Sequence, residues 1–424
     1  MRWVTGILMV IVTSSAAAQQ VDVTLSDAIQ RALLVQPGMV QAQGGVRTAN
    51  AQRLASNGAF LPTVSVGGGS SRSGGSQIVG NQIVPAPART SFSGTLTANW
   101  DLFTGFRRIA ARRASGALQE AADAGLISQR YTVILQTKVA FYNAIATEEL
   151  VRVADAQVAR TRQQLQISTE KLRAGSATRS DSLRSVVELG NAQIALLQAQ
   201  ANFAFAQATL GRQIGIDSAV RAVPDSALPP APDTTGLRET SLSTAPEVRQ
   251  TEAQARAARA QVWISRSAYW PTFSTTVSKG SSGGIAPWTS TAGYLDNWAV
   301  RFSVNLTLFN GFVREQGLTN SSVTRDNAEA VAADTRRQVN ATLTQAIAAL
   351  RTALAQLDIS RANVAAATED MRVQQERYRV GAATILDLLT SQASLTQALV
   401  NQVQTRFNYL VSRATLEALV GREL

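Results

Sequence analysis

The chain has 424 residues, a formal charge of +11 and a hydrophobic content of 45%, with no cysteine and no histidine. Without cysteine there is no disulfide, thiol nucleophile, thiolate metal site or lipid anchor on an N-terminal cysteine, and without histidine the commonest general base and metal ligand are gone. The arginines are scattered along long stretches instead of forming one dense run, so the positive balance does not read as a nucleic-acid footprint.

Residues 1–18 read as a secretory signal. Met1-Arg2 gives a positive start, Val4 to Val12 is a short apolar run, and Ala16-Ala17-Ala18 offers a small-residue cleavage site. No later segment holds eighteen consecutive apolar residues, so no membrane helix is predicted in the mature chain. A helix is predicted over Ser26 to Asn57. A weak strand follows from Pro62 (Val64, Val66), then a connecting stretch rich in glycine, serine and proline, including Gly67-Gly68-Gly69.

A strong strand comes next. Phe92, Gly94, Leu96, Ala98, Trp100 and Leu102 alternate with Ser91, Ser93, Thr95, Thr97, Asn99 and Asp101. Period two predicts one greasy face and one wet face, and about ten residues is the length a tilted transmembrane strand needs. From Gly105 to Arg173 there is no proline, which predicts a rod of roughly 100 Å at about 1.5 Å per residue. The cluster Arg107, Arg108, Arg112 and Arg113 opens it; it reads most simply as a solvated basic turn, the alternatives being a patch that meets anionic lipid headgroups or faces the lumen. Glycine at Gly175 and the pair Thr178 and Asp181 predict a helix end and a capped restart. A return helix is predicted over Ser180 to Gln213, and Asp217 to Gly236, with Pro224, Pro229, Pro230 and Pro232, reads as a linker.

The second half repeats the first. Leu102-Phe103-Thr104-Gly105-Phe106-Arg107-Arg108 recurs as Leu308-Phe309-Asn310-Gly311-Phe312-Val313-Arg314, an offset of 206. Arg173, Gly175, Ala177, Thr178, Asp181 and Leu183 recur at that offset as Arg379, Gly381, Ala383, Thr384, Asp387 and Leu389. Pro37 and Pro62 pair with Pro246 and Pro271 at an offset of 209, which puts a three-residue length difference in the hairpin region. The second half therefore predicts a helix from Pro246 to Arg266, a weak strand from Pro271 and a strong strand with Trp298, Val300, Phe302, Val304 and Leu306 on its greasy face. A rod from Gly311 to Arg379 and a return helix from Leu386 to Leu419 complete it. Leu343, Ile347, Leu350, Leu354, Leu357, Val364 and Met371 follow a seven-residue repeat that favours coiled-coil packing. The expected layout is a first repeat at 19–216, a linker at 217–236 and a second repeat at 237–424.

Four strands cannot close a barrel, and open edges in lipid would leave backbone groups unsatisfied. A shared barrel follows, of eight strands from two chains or twelve from three. The assembled pattern resembles the TolC-like outer-membrane efflux proteins. The residues that carry it are the duplication, the Leu-Phe-x-Gly-Phe motif, and Tyr378-x-Val380-Gly381-x-x-Thr384-x-x-Asp387-x-Leu389.

The resemblance implies a mainly α fold with a transmembrane β part: a long coiled-coil-like α-helical barrel plus a β-barrel of four strands per protomer, twelve in a homotrimer. It implies an export duct in the outer membrane, helices in the periplasm, and a periplasmic adaptor that links it to an inner-membrane transporter. Tip turns for adaptor docking map onto Arg173, Gly175, Thr178, Arg379, Gly381 and Thr384. An entrance aspartate maps onto Asp387; the second expected carboxylate falls on Thr390, which breaks the pattern. Phe92, Leu96, Trp100, Trp298, Phe302 and Leu306 are expected to face lipid, and Ser93, Thr95, Asn99, Arg301, Ser303 and Asn305 a wet lumen. No catalytic residue, cofactor or metal ligand is expected, and no nucleic-acid partner. The competing reading is a non-conducting periplasm-spanning coiled-coil protein with a β anchor.

Overall fold

The computed structural model describes residues 21–224, 228–233, 237 and 244–424. The signal expected at 1–18 lies outside them, as does part of the linker expected at 217–236. The described chain divides into two compact units. Among the described residues, one takes those within 21–42, 126–246 and 338–424, the other 43–125 and 247–337.

Strand β1 (Val21–Val23) leads into α1 (Leu25–Val35), whose N-cap Thr24 accepts from the Asp27 N–H. Gln36 is extended, the conformation that a following proline imposes, and Pro37 then opens α2 (Pro37–Gly58) where its missing N–H is harmless. The single helix expected over 26–57 is thus two. After the hairpin β2 (Thr63–Val79) and β3 (Gln82–Thr104) come α3 (Arg107–Arg173) and α4 (Arg179–Ile214). Strand β4 (Val220–Ala222) falls inside the segment read as linker and pairs in parallel with β1. Then follow α5 (Pro246–Arg266), a 3₁₀ turn (Ser267–Tyr269), β5 (Thr272–Gly283), β6 (Leu295–Asn305), α6 (Val313–Arg379) and α7 (Ile385–Val420).

The duplication is quantitative. Helices α3 and α6 each have 67 residues and α4 and α7 each have 36, with every boundary displaced by 206. On the buried face of α6, leucine and alanine alternate as Leu343, Ala346, Leu350, Ala353 and Leu357. Leu343, Leu350 and Leu357, seven residues apart, are buried in one cluster with Tyr409 and Leu416, and Ile347 and Leu354 pack on it. Each fully buried leucine contributes about 2 kcal/mol. A second cluster joins Phe141, Leu210 and Ile214 to Val23 and Val220 of the small parallel sheet. Lys138 of α3 lies 2.5 Å from Glu417 of α7, whose other oxygen accepts from Arg413 at 3.1 Å. The Lys138 and Glu417 side chains are only 12% and 9% exposed, so the pair ties the two repeats through a nearly dry ion pair.

Candidate functional site: a two-faced sheet and paired helix turns

The large sheet has the order β2-β3-β5-β6 and is antiparallel throughout. Its register decides which side chains share a face. Leu96 stands opposite Val66 and Lys279, Ala98 opposite Val64 and Val277, and Trp100 opposite Thr275. Lys279, Val277, Thr275 and Phe273 in turn face Trp298, Val300, Phe302 and Val304. Phe92, Leu96, Trp100, Trp298 and Phe302 therefore lie on one apolar face. Ser93, Thr95, Asn99, Arg301, Ser303 and Asn305 lie on the other, where the Thr276 hydroxyl donates to Asn99 Oδ1 at 2.8 Å.

The apolar face is bare within the chain: Trp298 is 79% exposed and Phe302 75%. Lys279, between Leu96 and Trp298, is a cation on this face that period-two reasoning passed over. From Phe92 to Phe103 the strand runs about 36 Å, near 27 Å across a bilayer at a tilt of about 40°. Aromatic pairs mark both ends, with Phe92–Trp288 at 5.6 Å and Phe103–Phe273 at 5.8 Å. Strands β2 and β6 are the free edges.

Two expectations for the hairpins need correcting. The stretch from Gly67 onward is not a loop. Strands β2 and β3 continue to a two-residue turn at Gly80-Asn81, where both φ values are positive as hairpin turns require. Beyond Phe92, β3 pairs only with β2, so Pro85 and Pro87 sit on an edge and break no ladder bond. Leu306 lies just past β6, which ends at Asn305. Its partner across the hairpin would be Pro271, which has no N–H to donate.

At the strand-to-helix junctions a register shift at Leu102 turns Phe103 onto the apolar face. Gly105 and Phe106 then both take positive φ, as do Gly311 and Phe312. A bulky residue held left-handed is strained. In each repeat a perpendicular ring pair pins it: Phe103–Phe106 at 5.2 Å and Phe309–Phe312 at 5.5 Å. Arg108 lies over Phe60 and donates to the Leu102 and Ala59 carbonyls; Arg314, its repeat partner, lies over Tyr269 and donates to Thr307 and Leu308.

The far ends of α3 and α6 close alike. Gly175 N–H donates to Leu172 and Ser176 N–H to Lys171; Gly381 N–H donates to Tyr378 and Ala382 N–H to Arg377. These are paired six-to-one and five-to-two bonds around a left-handed glycine, with φ of 72° and 82°. Thr178 and Thr384 cap the next helices, and their own backbone N–H groups donate to the Asp181 and Asp387 carboxylates in reciprocal capping boxes. Those bonds from Thr178 and Thr384 hold both carboxyls below the usual carboxylate range, and Arg377 adds to the effect at Asp387.

The Asp387 carboxylate is thus engaged by its own chain. Thr390 is exposed and donates to the Leu386 carbonyl at 2.9 Å. Arg379 pairs with Glu376 at 2.9 Å; Arg173 is exposed. The two turns are linked by Lys171, which donates to the Tyr378 carbonyl and sits 4.2 Å over its ring. That link crosses the repeats, so no local spacing announces it.

The family model described as "Outer membrane efflux protein" matches residues 28–215 and again 237–422. Protein CyaE of Bordetella pertussis is 27% identical over 386 residues, 88% of this chain and 78% of that protein. The pyoverdine export outer membrane protein OpmQ of Pseudomonas aeruginosa is 27% identical over 94% of this chain and 83% of its own length. Among solved structures, the Campylobacter jejuni CmeC outer membrane channel superposes with a TM-score of 0.82 at 17% identity, covering 94% of this chain and 85% of that one.

Proposed function

The chain belongs to the outer membrane efflux protein family, and from that premise we propose how it conducts. It is an outer-membrane export duct. Three copies share one twelve-stranded barrel, the apolar face meets outer-membrane lipid, and the face of Ser93, Thr95, Asn99, Arg301, Ser303 and Asn305 lines the lumen. The helices reach into the periplasm. The turns at Arg173–Thr178 and Arg379–Thr384 receive a periplasmic adaptor that couples the duct to an inner-membrane transporter. Passage is passive and gated, and no catalysis is involved. Residues 19–216 and 237–424 act as two copies of one unit joined by 217–236, and 1–18 directs export of the chain.

The single observation that carries this reading is a four-stranded sheet with one apolar face, one polar face and two unpaired edges. The edges support sharing between copies through the repeat. Thr63–Asn99 in the first hairpin maps onto Thr272–Asn305 in the second, and Val64–Ala98 onto Phe273–Val304. Carrying the β3–β5 register through the same offsets pairs Val304 of β6 with Gly68 of β2 in a neighbouring copy.

At the entrance, Asp387 forms a ring of one carboxylate per copy, with Thr390 neutral. Single-channel recording of Asp387→Ala should show altered conductance or ion block; identical traces would remove that role. For the duct itself, purified protein in planar bilayers should conduct. A stable assembly that inserts and never conducts leaves the non-conducting spacer as the better account.

A further inference from the structure

We infer that a groove between the start of α3 and the end of α5 binds an anionic phospholipid of the leaflet on the helical side of the sheet. The inference rests on the apolar sheet face meeting lipid. The groove has a volume of about 430 Å³ and is lined by Phe106, Ile109, Trp263 and Trp270, with Arg113 and Arg266 beside them. All four apolar side chains are exposed within the chain.

The groove continues the apolar face. Phe273 and Phe103 lie on that face at 5.8 Å, Phe103 meets Phe106 at 5.2 Å, and Phe106 meets Trp270 at 5.8 Å. An unbroken run of rings therefore leads from the sheet into the groove. Tryptophan at such a level is what a membrane interface selects. Arg266 stacks over Trp263 at 5.0 Å, and neither Arg266 nor Arg113 makes an ion pair among the described residues. An apolar floor with two unneutralised guanidinium groups suits an acyl chain and the phosphate it carries.

The internal duplication separates what the turn needs from what the groove adds. Phe103, Gly105, Phe106 and Arg108 recur as Phe309, Gly311, Phe312 and Arg314, so they build the turn. Beyond Phe106, the groove residues named here do not recur. Arg113 corresponds to Thr319, Arg266 to Asn57, Trp263 to Leu54, Trp270 to Leu61 and Ile109 to Glu315. The same fold element forms in the second repeat without two tryptophans and two arginines, so folding alone does not require them in the first.

The test uses the whole protein in nanodiscs that carry dibrominated phosphatidylglycerol or dibrominated phosphatidylethanolamine, read by tryptophan quenching. Groove quenching is the part lost in Trp263→Phe/Trp270→Phe, and sheet quenching the part lost in Trp298→Phe. Groove quenching should need less phosphatidylglycerol than phosphatidylethanolamine, by roughly fivefold per arginine. Arg113→Gln/Arg266→Gln should abolish that preference, while Arg113→Lys/Arg266→Lys should retain most of it.

Equal quenching by the two lipids, or a preference that survives the double glutamine variant, overturns the inference while leaving the sheet reading intact. Loss of the preference on adding millimolar inorganic phosphate would assign the arginines to free phosphate instead of lipid. Absence of Trp298 quenching by either lipid would instead remove the lipid-facing reading on which the groove depends.

Discussion

Gly381 holds φ of 82°, and nothing lies within 4 Å of where its Cβ would stand. Crowding is no obstacle there, so the cost of a side chain is conformational. Gly381→Ala should destabilise the turn by about 1 kcal/mol, and Gly381→Val by more, because a β-branched residue tolerates the left-handed region least. If the turn docks an adaptor, Gly381→Val should lose export while the oligomer still forms; unchanged export would count against docking. The cap beside it is a second target. Thr384→Ala should cost about 1 kcal/mol, seen as faster amide exchange at the start of α7.

Asp181 and Asp387 titrate below the usual range because the folded state favours their charged form. Their contribution is therefore complete above the ordinary carboxylate pKa, near about 4, and is lost as pH falls through the depressed folded value. Protection of the turn amides, taken relative to their intrinsic exchange rate, should fall only in acid, and Asp387→Asn should flatten that fall at the second turn. A fall in protection already present near neutral pH would show that the boxes do not hold the turns.

Between elements, the Lys138–Glu417 pair joins α3 to α7. Glu417→Leu would leave Lys138 without its carboxylate in a nearly dry setting and should cost about 3 kcal/mol. Thermal unfolding of the assembly checks this, and Lys138→Met added to Glu417→Leu should recover part of the loss.

The helices were legible because proline, glycine and capping residues bound them: α5 runs from Pro246 to Arg266 as read, and the heptad leucines are buried. The first hairpin was not. Residues 67–91 are rich in glycine, serine and proline, and carry no apolar alternation. Pairing along β2 and outer β3 needs only backbone bonds, which composition does not encode. The parallel pairing of β1 with β4 was hidden for a related reason. Three residues per strand are too few to show a period, and the partners are nearly 200 positions apart. At the tips the capping boxes could be read from Thr-x-x-Asp, while the Lys171–Tyr378 contact could not, because it joins different repeats.

For the whole molecule, the register of one copy specifies the seam with the next. The chain has no cysteine, so an introduced pair reports without background. Val304→Cys with Gly68→Cys should give crosslinked oligomers under mild oxidation, while moving one partner by a single residue should not, since that shift turns the side chain to the opposite face. Crosslinking that ignores register would refute the projected seam. Fold class was readable at this scale because the duplication, the alternating strands and the unbroken rods agree with one another. The number of copies was not, since a sheet edge states that a partner is needed and not how many.

The equal lengths of α3 and α6 carry a further consequence. Lys171 of one rod reaches the last turn of the other, so the two ends finish level. A deletion in one rod alone would lower one end by about 1.5 Å per residue and break that contact. Changes of length in residues 107–173 are therefore tolerable only when matched in 313–379, so any natural variant of this chain with a longer or shorter rod must have altered both together.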